Sequence, residues 1–464
     1  MTLVHRATRP VTVALLGLTA ALSAWATPAP ALEEDEIREL SWGLFSHFGD
    51  RKQVAIDALV ATGDRSLIPT FVLALRWAGD DIFVADALST LTGERLATWH
   101  AAFEWQEAHP EITPHPTYRD VKLHLLRGID ERFMDLLDTE AARANAQIRF
   151  EEITWGGAKV DDIPPLDAPK MLSFENAGYL RDEDLVFGVS INGDARAYPL
   201  RVLGWHEMMN DVIGGVPVAL AYCTLCGAGI LFETDVDGRA EPFVFGSSGL
   251  LYRSNKLMFD RQTETIWNQF TGKPVIGELV GSGIALKQRP ILVASWKDWR
   301  EANPTTTVLS DETGFLRDYG PGVVYSDYFA SPDLMFPALV GDESRLKRKD
   351  YVFGVRAFAA SKAWPLDVFE GGAVINDRIG DMNIVLIGDA ATRTVRAYDR
   401  GDLEFRRSAD GDQRLLTSNG AWTLREDALT GPDGAASPRI PGHISYWFAW
   451  NNYLGLRSEL YDGE

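Results

Sequence analysis

Apolar residues between about residue 34 and residue 150 recur at spacings of three and four, which is the period of an amphipathic α-helix. Ala55 and Gly63 recur thirty residues later as Ala85 and Gly93, and a repeat of this length is typical of stacked helical hairpins. We therefore expect a HEAT-like helical domain over residues 34–150, with both glycines at the C-termini of helices.

A further helix is expected near the end of this domain, from Tyr118 to Leu137. Its apolar positions are spaced by three or four residues and would form one face: Val121, Leu125, Ile129, Phe133 and Leu136. We expect the helical domain to serve packing or partner docking rather than catalysis.

The pattern changes at residue 151. Glycines and prolines are frequent over residues 151–169, and both residue types interrupt regular structure, so we expect a connector there without helices or strands. Beyond it, short apolar segments separated by turns predict β-strands over 186–191, 195–198, 216–222, 229–234 and 242–245. A short helix is expected to start after Pro199 and to end by Asn210.

One stretch of the β-rich region occurs twice, 166 residues apart and without a gap. The recurring segments are Val186-Phe187-Gly188-Val189 and Val352-Phe353-Gly354-Val355, Ala197-Tyr198-Pro199-Leu200 and Ala363-Trp364-Pro365-Leu366, Asn210-Asp211 and Asn376-Asp377, and Ile213-Gly214 and Ile379-Gly380. This duplication predicts an α+β protein in which the helical domain precedes two tandem β-rich lobes, over residues 170–315 and 335–460, with residues 311–336 crossing between them. Asn210 and Asp211 persist in both copies, which indicates turn or capping residues that serve the fold.

Four residues with chemically capable side chains occur only in the first copy. At the same offset, His206 is replaced by Gly372, Glu207 by Ala373, Cys223 by Asp389 and Cys226 by Thr392. All four are lost together while the scaffold residues between them persist, which suggests that the four form one site.

The first interpretation of this site is a metal centre. Cys223 and Cys226 follow a predicted strand and lie three residues apart on a turn, where two thiolates can chelate one ion. His206 would add a nitrogen ligand and complete a Cys2His set that suits copper or zinc. Glu207 would be a fourth ligand or a general base acting on metal-bound water, and it is the candidate catalytic residue. The sequence leaves open whether such a centre is an enzyme or binds metal alone.

Two other interpretations of the cysteines stay open. The Cys-x-x-Cys spacing permits an easily reversed disulfide, as in a thiol-disulfide redox protein, although no helix follows the motif to activate a thiol. The pair could instead form a structural disulfide in a non-catalytic binding or scaffold protein. Because such a disulfide closes a small loop, it would remove little chain entropy and stabilise the fold modestly.

The N-terminus and the charge limit where the protein works and what it binds. Arg6 and Arg9 precede an apolar run and Ala24-Trp25-Ala26, which predicts a signal peptide over residues 1–26 and a periplasmic or secreted protein. The formal net charge of -21 disfavours binding to nucleic acid, and no later segment is long enough to insert into a membrane once the signal is removed. The partner is therefore expected to be a small molecule or another protein.

Several motifs of the β-rich region resemble domain-of-unknown-function family 3179. They are Trp155-Gly156-Gly157, Ile163-Pro164, Ala197-Tyr198-Pro199-Leu200, His206-Glu207-x-x-Asn210-Asp211, Tyr222-Cys223-x-Leu225-Cys226-Gly227, Gly249-Leu250-Leu251-Tyr252, Asp260-Arg261-x-Thr263 and Trp267-x-Gln269. Where members of the family commonly have Cys-Pro-Leu-Cys-Gly-Thr, this chain has Thr224 and Ala228. The resemblance spans roughly Glu152 to Tyr453 and implies a shared domain, while the family has no established activity to transfer.

Overall fold

The computed structural model describes residues 32–341, 343–357, 360–408 and 414–463. The signal peptide predicted over residues 1–26 lies outside the described residues. Among the residues that are described, no helix combines the length and the apolar character needed to cross a bilayer.

The N-terminal segment is helical, as its pattern predicts. Helices α1 to α8 span Glu34–Gly43, Gly49–Ala61, Ile68–Ala78, Ile82–Thr92, Trp99–Ala108, Thr117–Ile129, Phe133–Leu137 and Glu140–Ala144. Gly93 is the left-handed C-cap of α4, and Gly63 follows the C-cap of α2 with a φ of +65°. The helix predicted from Tyr118 to Leu137 is divided into α6 and α7, because Asp130 adopts an extended conformation between them.

The described residues beyond Ala144 form four further α-helices and the strands. Helices α9 to α12 span Leu200–His206, Trp296–Ala302, Ser326–Ala330 and Trp447–Leu454. Strands β1 to β15 span Ile153–Trp155, Leu166–Asp167, Met171–Ser173, Leu185–Ile191, Asp194–Pro199, Met208–Ile213, Val216–Cys223, Ala228–Glu233, Phe245–Tyr252, Asn255–Asp260, Ile266–Asn268, Lys273–Ile276, Gln288–Arg289, Leu292–Ser295 and Thr307–Leu309. Strands β16 to β27 span Tyr351–Ala357, Ala360–Pro365, Ala373–Ile379, Met382–Asp389, Thr394–Asp399, Arg406–Arg407, Arg414–Thr417, Gly420–Leu424, Ala428–Thr430, Ala436–Ile440, Gly442–Tyr446 and Glu459–Leu460.

The described strands form five sheets, so the chain is a mixed α+β protein. Three sheets hold strands of the first β-rich half, in the orders β1-β9-β10-β11-β12, β13-β8-β7-β6-β2 and β14-β4-β5-β15-β3. Two sheets hold strands of the second half, in the orders β26-β16-β17-β27 and β18-β19-β20-β25-β24-β23-β22-β21. Pairing is antiparallel except where β2 joins β6, β15 joins β5 and β27 joins β17.

The connector over residues 151–169 contains regular structure, so the expectation of none is wrong. Strand β1 pairs antiparallel with β9, where Trp155 lies opposite Leu250, and β2 pairs parallel with β6, where Leu166 lies opposite Met209. The partners of both strands lie more than 40 residues farther along the chain, and a local count of glycines and prolines carries no information about such pairing.

The strands of the two halves recur at the spacing of the sequence repeat. Val186 pairs with Pro199 in the first half, and Val352 pairs with Pro365 in the second. Asn210 and Asp211 lie within β6, and Asn376 and Asp377 lie within β18, so none of the four is a turn residue.

Each conserved side-chain pair of this repeat makes the same kind of contact in both halves. Asn210 accepts a hydrogen bond from the backbone N–H of Phe245 at 2.9 Å, and Asn376 accepts one from Phe405 at 2.8 Å. The carboxylate of Asp211 accepts from Arg196 and Tyr198, and that of Asp377 accepts from Lys362 and Trp364. These residues therefore serve the fold, as expected, by joining neighbouring strands.

The two halves share buried surface. One apolar cluster contains Phe187 and Leu231 from the first half together with Phe353, Trp364 and Leu386 from the second. A second cluster joins the helical domain to strands β9 to β12 and to helix α12. The candidate site residues lie in the first half, and Cys226 contacts Tyr446 of the second.

Candidate functional site

Helix α9 positions His206 and Glu207. The helix begins after Pro199 and ends at His206, and Glu207 is its C-cap with a φ of +56°. The N–H of Glu207 donates to the carbonyl of Leu203 at 2.6 Å, and its own carbonyl accepts from the N–H of Tyr222 at 2.8 Å. The end of α9 is thereby fixed to the end of strand β7, which leads to the cysteines.

Both ring nitrogens of the buried His206 are engaged. Nδ1 lies 2.8 Å from the carbonyl oxygen of Pro164, and Nε2 lies 2.6 Å from the hydroxyl of Tyr319. Because a carbonyl only accepts, Nδ1 carries the proton, and a neutral ring then accepts from the hydroxyl of Tyr319 through Nε2. Burial lowers the pKa of His206 below its ordinary value, which favours this neutral form.

The cysteines close a hairpin turn between β7 and β8. Cys223 lies opposite Ala228, and Cys223 and Cys226 are joined by a disulfide. Both side chains are buried, with exposures of 2% and 0%. The backbone carbonyl of Cys226 accepts from the N–H of Tyr446 at 2.7 Å, so the turn is anchored to strand β26 of the second half.

A buried ion pair lies beside this turn. Nζ of Lys256 donates to Oε2 of Glu207 at 3.2 Å and to Oγ of Ser247 at 2.9 Å. The other carboxylate oxygen of Glu207 accepts from Thr224 at 2.8 Å and from the hydroxyl of Tyr325 at 3.3 Å. Desolvation lowers the pKa of Lys256, while the charge of Glu207 opposes that shift and favours the ammonium.

The segment over residues 311–336, which we name the strap, contacts His206, Glu207 and the cysteine turn. Three of its tyrosine hydroxyls reach inward: Tyr319 contacts His206, Tyr325 contacts Glu207, and Tyr328 donates to the carbonyl of Leu225 at 2.6 Å. The histidine, the glutamate and the cysteine turn are buried, and the strap contributes to their surroundings.

The structure brings together only part of the predicted four-residue site. Glu207 is linked to the cysteine turn through Thr224, whereas the ring of His206 is engaged by Pro164 and by the strap. Within the described ranges, no group of three or more His, Cys, Asp or Glu side chains is placed to hold a metal ion. The Cys2His metal centre, with Cys223, Cys226 and His206 as ligands and Glu207 as a base, stays a prediction.

A cavity of about 550 Å³ opens between the two halves, next to the cysteine turn. Its lining comes from helix α9 and strand β7, from the strap, and from the second half. The polar lining includes the side chains of Arg201, Tyr222, Lys349, Tyr351, Arg393 and Tyr446. Gly227 of the cysteine turn has a φ of +60° and no side chain, which lets Tyr351 and Tyr446 of the cavity lining lie close to the turn.

One of the cavity residues, Arg393, could have been found from the sequence repeat. Arg393 of the second half stands 166 residues after Gly227. Its φ is +54°, compared with +60° for Gly227. An arginine in a position that favours glycine is a local signal of function or strain. Lys256 is a cation directly before the apolar run Leu257-Met258-Phe259 of strand β10. The strap tyrosines carry no local signal, because their partners lie more than 100 residues away.

No curated protein and no solved structure matches the chain significantly. One family model matches residues 160–455, which is more than half of the chain. This range agrees with the extent of the motifs found in the sequence. The chain therefore belongs to the DUF3179 family, described as proteins of unknown function.

Proposed function

We propose that this chain is a binding protein whose ligand is a small molecule held in the cavity between the two β-rich halves. The observation that carries the proposal is the cavity itself, since about 550 Å³ lies within the range of small-molecule sites. Its walls come from both halves and from the strap, so a ligand there would contact both halves and the strap. No reaction is assigned to this site.

In this proposal the disulfide between Cys223 and Cys226 is structural. Its sulfur atoms are buried, and exchange with another thiol requires access to a sulfur along the line of attack. The disulfide closes the turn whose backbone contacts Tyr328 and Tyr446, and Tyr446 lines the cavity. The cysteines would then hold one wall of the binding site in place.

Two matched fluorescent probes test the cavity. Anilinonaphthalene sulfonate is an anion, and N-phenylnaphthylamine is a neutral molecule with the same rings. We expect at least one of them to bind saturably with a stoichiometry of one. Ser326 lines the cavity, and Ser326→Trp should abolish that binding by filling the space. Ser282→Trp, at an exposed loop position, is the control and should leave it intact.

Two results would contradict the proposal. One is the absence of saturable binding by either probe to the folded protein. The other is equal binding by the Ser326→Trp and Ser282→Trp variants, since the probes would then occupy another surface. Circular dichroism of both variants establishes that each is folded before binding is measured.

A thiol-disulfide redox protein is the second candidate, and the buried ion pair beside the turn favours it. The carboxylate of Glu207 accepts a hydrogen bond from Thr224, which stands between the two cysteines in the sequence, and Lys256 is its ion-pair partner. Such charges can change the stability of a thiolate. Titration of the free thiols against glutathione buffers of defined potential separates the candidates. A disulfide that opens within the physiological range supports redox function, and one that stays closed contradicts it.

The metal centre is retained as a proposal with its own test. It requires the disulfide to be reduced and the ring of His206 to leave Pro164 and Tyr319. Metal analysis of protein prepared from the periplasm, beside a Cys223→Ser, Cys226→Ser variant, measures whether copper or zinc is bound by the cysteines. Equal metal content in the two proteins would contradict the cysteine site.

The cellular location and the domain architecture of the protein are also proposals. We infer that residues 1–26 direct export, so that the protein acts in the periplasm or outside the cell, and the disulfide is consistent with an oxidising compartment. We further infer that the two β-rich halves are duplicated lobes, supported by their equal strand registers, and that the helical domain is HEAT-like and docks a partner. N-terminal sequencing of the mature protein tests the first inference.

A further inference from the structure

We propose that the cavity selects small organic anions, a carboxylate or similar group on an apolar body, and that Arg393 and Lys349 hold the anionic group. This inference rests on the proposed binding function and names the class of ligand. It follows from the hydrogen-bond donors of the cavity, from their lack of carboxylate partners, and from the backbone conformation of Arg393.

The guanidinium of Arg393 has one hydrogen-bond partner among the described residues. Nη1 donates to the hydroxyl of Tyr351 at 2.9 Å, and the group lies 4.1 Å from the centre of that ring. No ion pair joins Arg393 to a carboxylate in the part of the chain that the structure describes. Its other N–H groups and its full charge are therefore available to a ligand in the cavity.

Two tyrosines extend this donor system. Because the hydroxyl of Tyr351 accepts from Arg393, its own proton is donated to the hydroxyl of Tyr446 at 3.1 Å. The proton of Tyr446 is then free to be donated in turn, and both residues line the cavity. These hydrogen bonds run from the cation of Arg393 through Tyr351 to Tyr446, and each one polarises the next. The last O–H, that of Tyr446, is thereby a stronger donor. An anion is the acceptor that gains most from it.

Lys349 supplies a second positive charge. Its Nζ donates to the carbonyls of Tyr328 and Ser331, and neither partner carries a charge. Nζ also lies 3.7 Å from the centre of the Tyr328 ring. An ammonium has three protons, so one N–H has no oxygen acceptor among the described residues and can be donated to a ligand. Burial lowers the pKa of Lys349 and the charge of Asp333 raises it, although the two residues do not form an ion pair. An anion in the cavity would favour the charged form of Lys349.

The acidic residues of the cavity leave the two cations in excess. Asp184 is paired with Arg201 at 3.1 Å, so these two charges cancel. Glu183 is exposed at the rim. In a chain with a formal net charge of -21, a cavity with two cations lacking ion-pair partners is a local exception, and it would attract a ligand that the rest of the surface repels.

The backbone of Arg393 is a separate indication. Its φ of +54° lies in the left-handed region, where a side chain is strained and where the corresponding turn of the first half has Gly227. Retaining an arginine there keeps a guanidinium at the cavity at the expense of local strain. Strain of this kind is found at sites of binding more often than in loops that only connect.

The apolar residues of the lining indicate what the non-ionic part of the ligand is. Leu185, Leu200, Val324 and Phe329 give the cavity apolar walls. A ligand with one anionic group and an apolar body would therefore match both the polar and the apolar parts of the lining. Such a body is either a planar aromatic acid or an acyl chain, and both carry the same carboxylate.

The experiment compares charged and neutral probes of the same shape. Anilinonaphthalene sulfonate should bind at least roughly tenfold more tightly than N-phenylnaphthylamine, as expected for a charge-assisted hydrogen bond. Cinnamate and decanoate then compete for the bound probe, each beside its uncharged amide. We expect displacement by at least one acid and not by its amide, and the acid that displaces the probe identifies the aromatic or the acyl source.

Two variants assign the selectivity to named residues. Arg393→Gln should weaken binding of the sulfonate by roughly tenfold or more while the affinity for the neutral probe changes less than twofold. Tyr446→Phe keeps the ring and removes the terminal O–H donor. It should therefore weaken binding of the sulfonate by a smaller factor than Arg393→Gln does. Arg378→Gln, at an exposed position on strand β18, is the matched control and should change neither.

The outcomes separate this inference from the proposed function. Equal affinities for the charged and the neutral probe, or equal displacement by acid and amide, would overturn anion selectivity. An equal loss of affinity for both probes in Arg393→Gln would contradict the role of Arg393 in holding the anionic group. In each case, blocking by Ser326→Trp would still support a binding cavity, whereas failure of that variant to block would overturn the function itself.

Discussion

The ammonium of Lys256 lies 3.2 Å from Oε2 of Glu207, and both side chains are buried, with exposures of 4% and 10%. The pair is enclosed by Ser247, Thr224 and Tyr325. Two charges at this depth depend on each other, since neither has water to replace its partner.

Removal of one partner of this pair should destabilise the protein strongly. We expect Lys256→Met and Glu207→Gln each to lower the free energy of unfolding by about 3–5 kcal/mol, because each leaves one buried charge without its partner. The double variant should lose less than the sum of the two. Urea unfolding followed by circular dichroism measures these values.

An exposed pair provides the control for this measurement. Lys170 and Glu312 form an ion pair with exposures of 56% and 75%. Lys170→Met and Glu312→Gln should each change the free energy of unfolding far less than the substitutions at the buried pair, because solvent screens exposed charges. Equal losses at the two sites would contradict the view that burial makes the Lys256–Glu207 pair important.

The disulfide should contribute modest stability. It closes a loop of four residues, Cys223 to Cys226, and loop entropy then predicts a loss of about 2 kcal/mol in the Cys223→Ala, Cys226→Ala variant. Probe binding in the cavity should persist in this variant at temperatures well below its unfolding transition. Loss of binding by a folded variant would contradict this expectation and show that the cavity wall needs the disulfide itself.

Gly227 should tolerate a side chain poorly. A Cβ there would lie 3.0 Å from Cε1 of Tyr351 and 3.4 Å from Cε2 of Tyr446, in addition to the strain of a φ of +60°. We expect Gly227→Ala to lower the free energy of unfolding by at least about 2 kcal/mol. Gly238→Ala is the control, because Gly238 has a φ of +84° and open surroundings. It should lose about 1 kcal/mol, and equal losses would rule out crowding by the tyrosines.

Glu107 should make stability depend on pH. It lies in helix α5, where it accepts from the N–H of Leu339 at 2.6 Å, and desolvation raises its pKa from 4.5 to about 7. The folded protein therefore holds a proton that the unfolded chain releases. This contribution is complete below pH 4.5 and is lost as the pH rises to about 7, a change of about 3 kcal/mol.

The variant Glu107→Gln isolates this contribution from other titrating groups. The difference in melting temperature between Glu107→Gln and the parent protein should change between about pH 4.5 and pH 7 and be constant outside that window. His443, whose pKa burial lowers, titrates equally in both proteins and cancels in the difference. A difference that does not vary with pH would contradict the raised pKa of Glu107.

Local patterns predicted the β-rich elements well where the pairing is local. Strands β4 and β5 form a hairpin around Asn192 and Gly193, and α9 begins after Pro199 as expected. The predicted segment 242–245 was wrong for most of its length, since β9 begins at Phe245. Strands β1 and β2 were missed because their hydrogen bonds go to β9 and β6, which no local pattern can indicate.

The sequence by itself determined the repeat of 166 residues, the short list of His206, Glu207 and the cysteine pair, and the family to which the chain belongs. These follow from residue identity and spacing, which the chain carries in one dimension. Only the tertiary structure decided where those side chains point. The ring of His206 contacts Tyr319, 113 residues away, and the cavity is lined by residues as distant as Glu183 and Tyr446. Such contacts arise from long-range packing of sheets and strap, and the alternation of apolar and polar residues does not encode them.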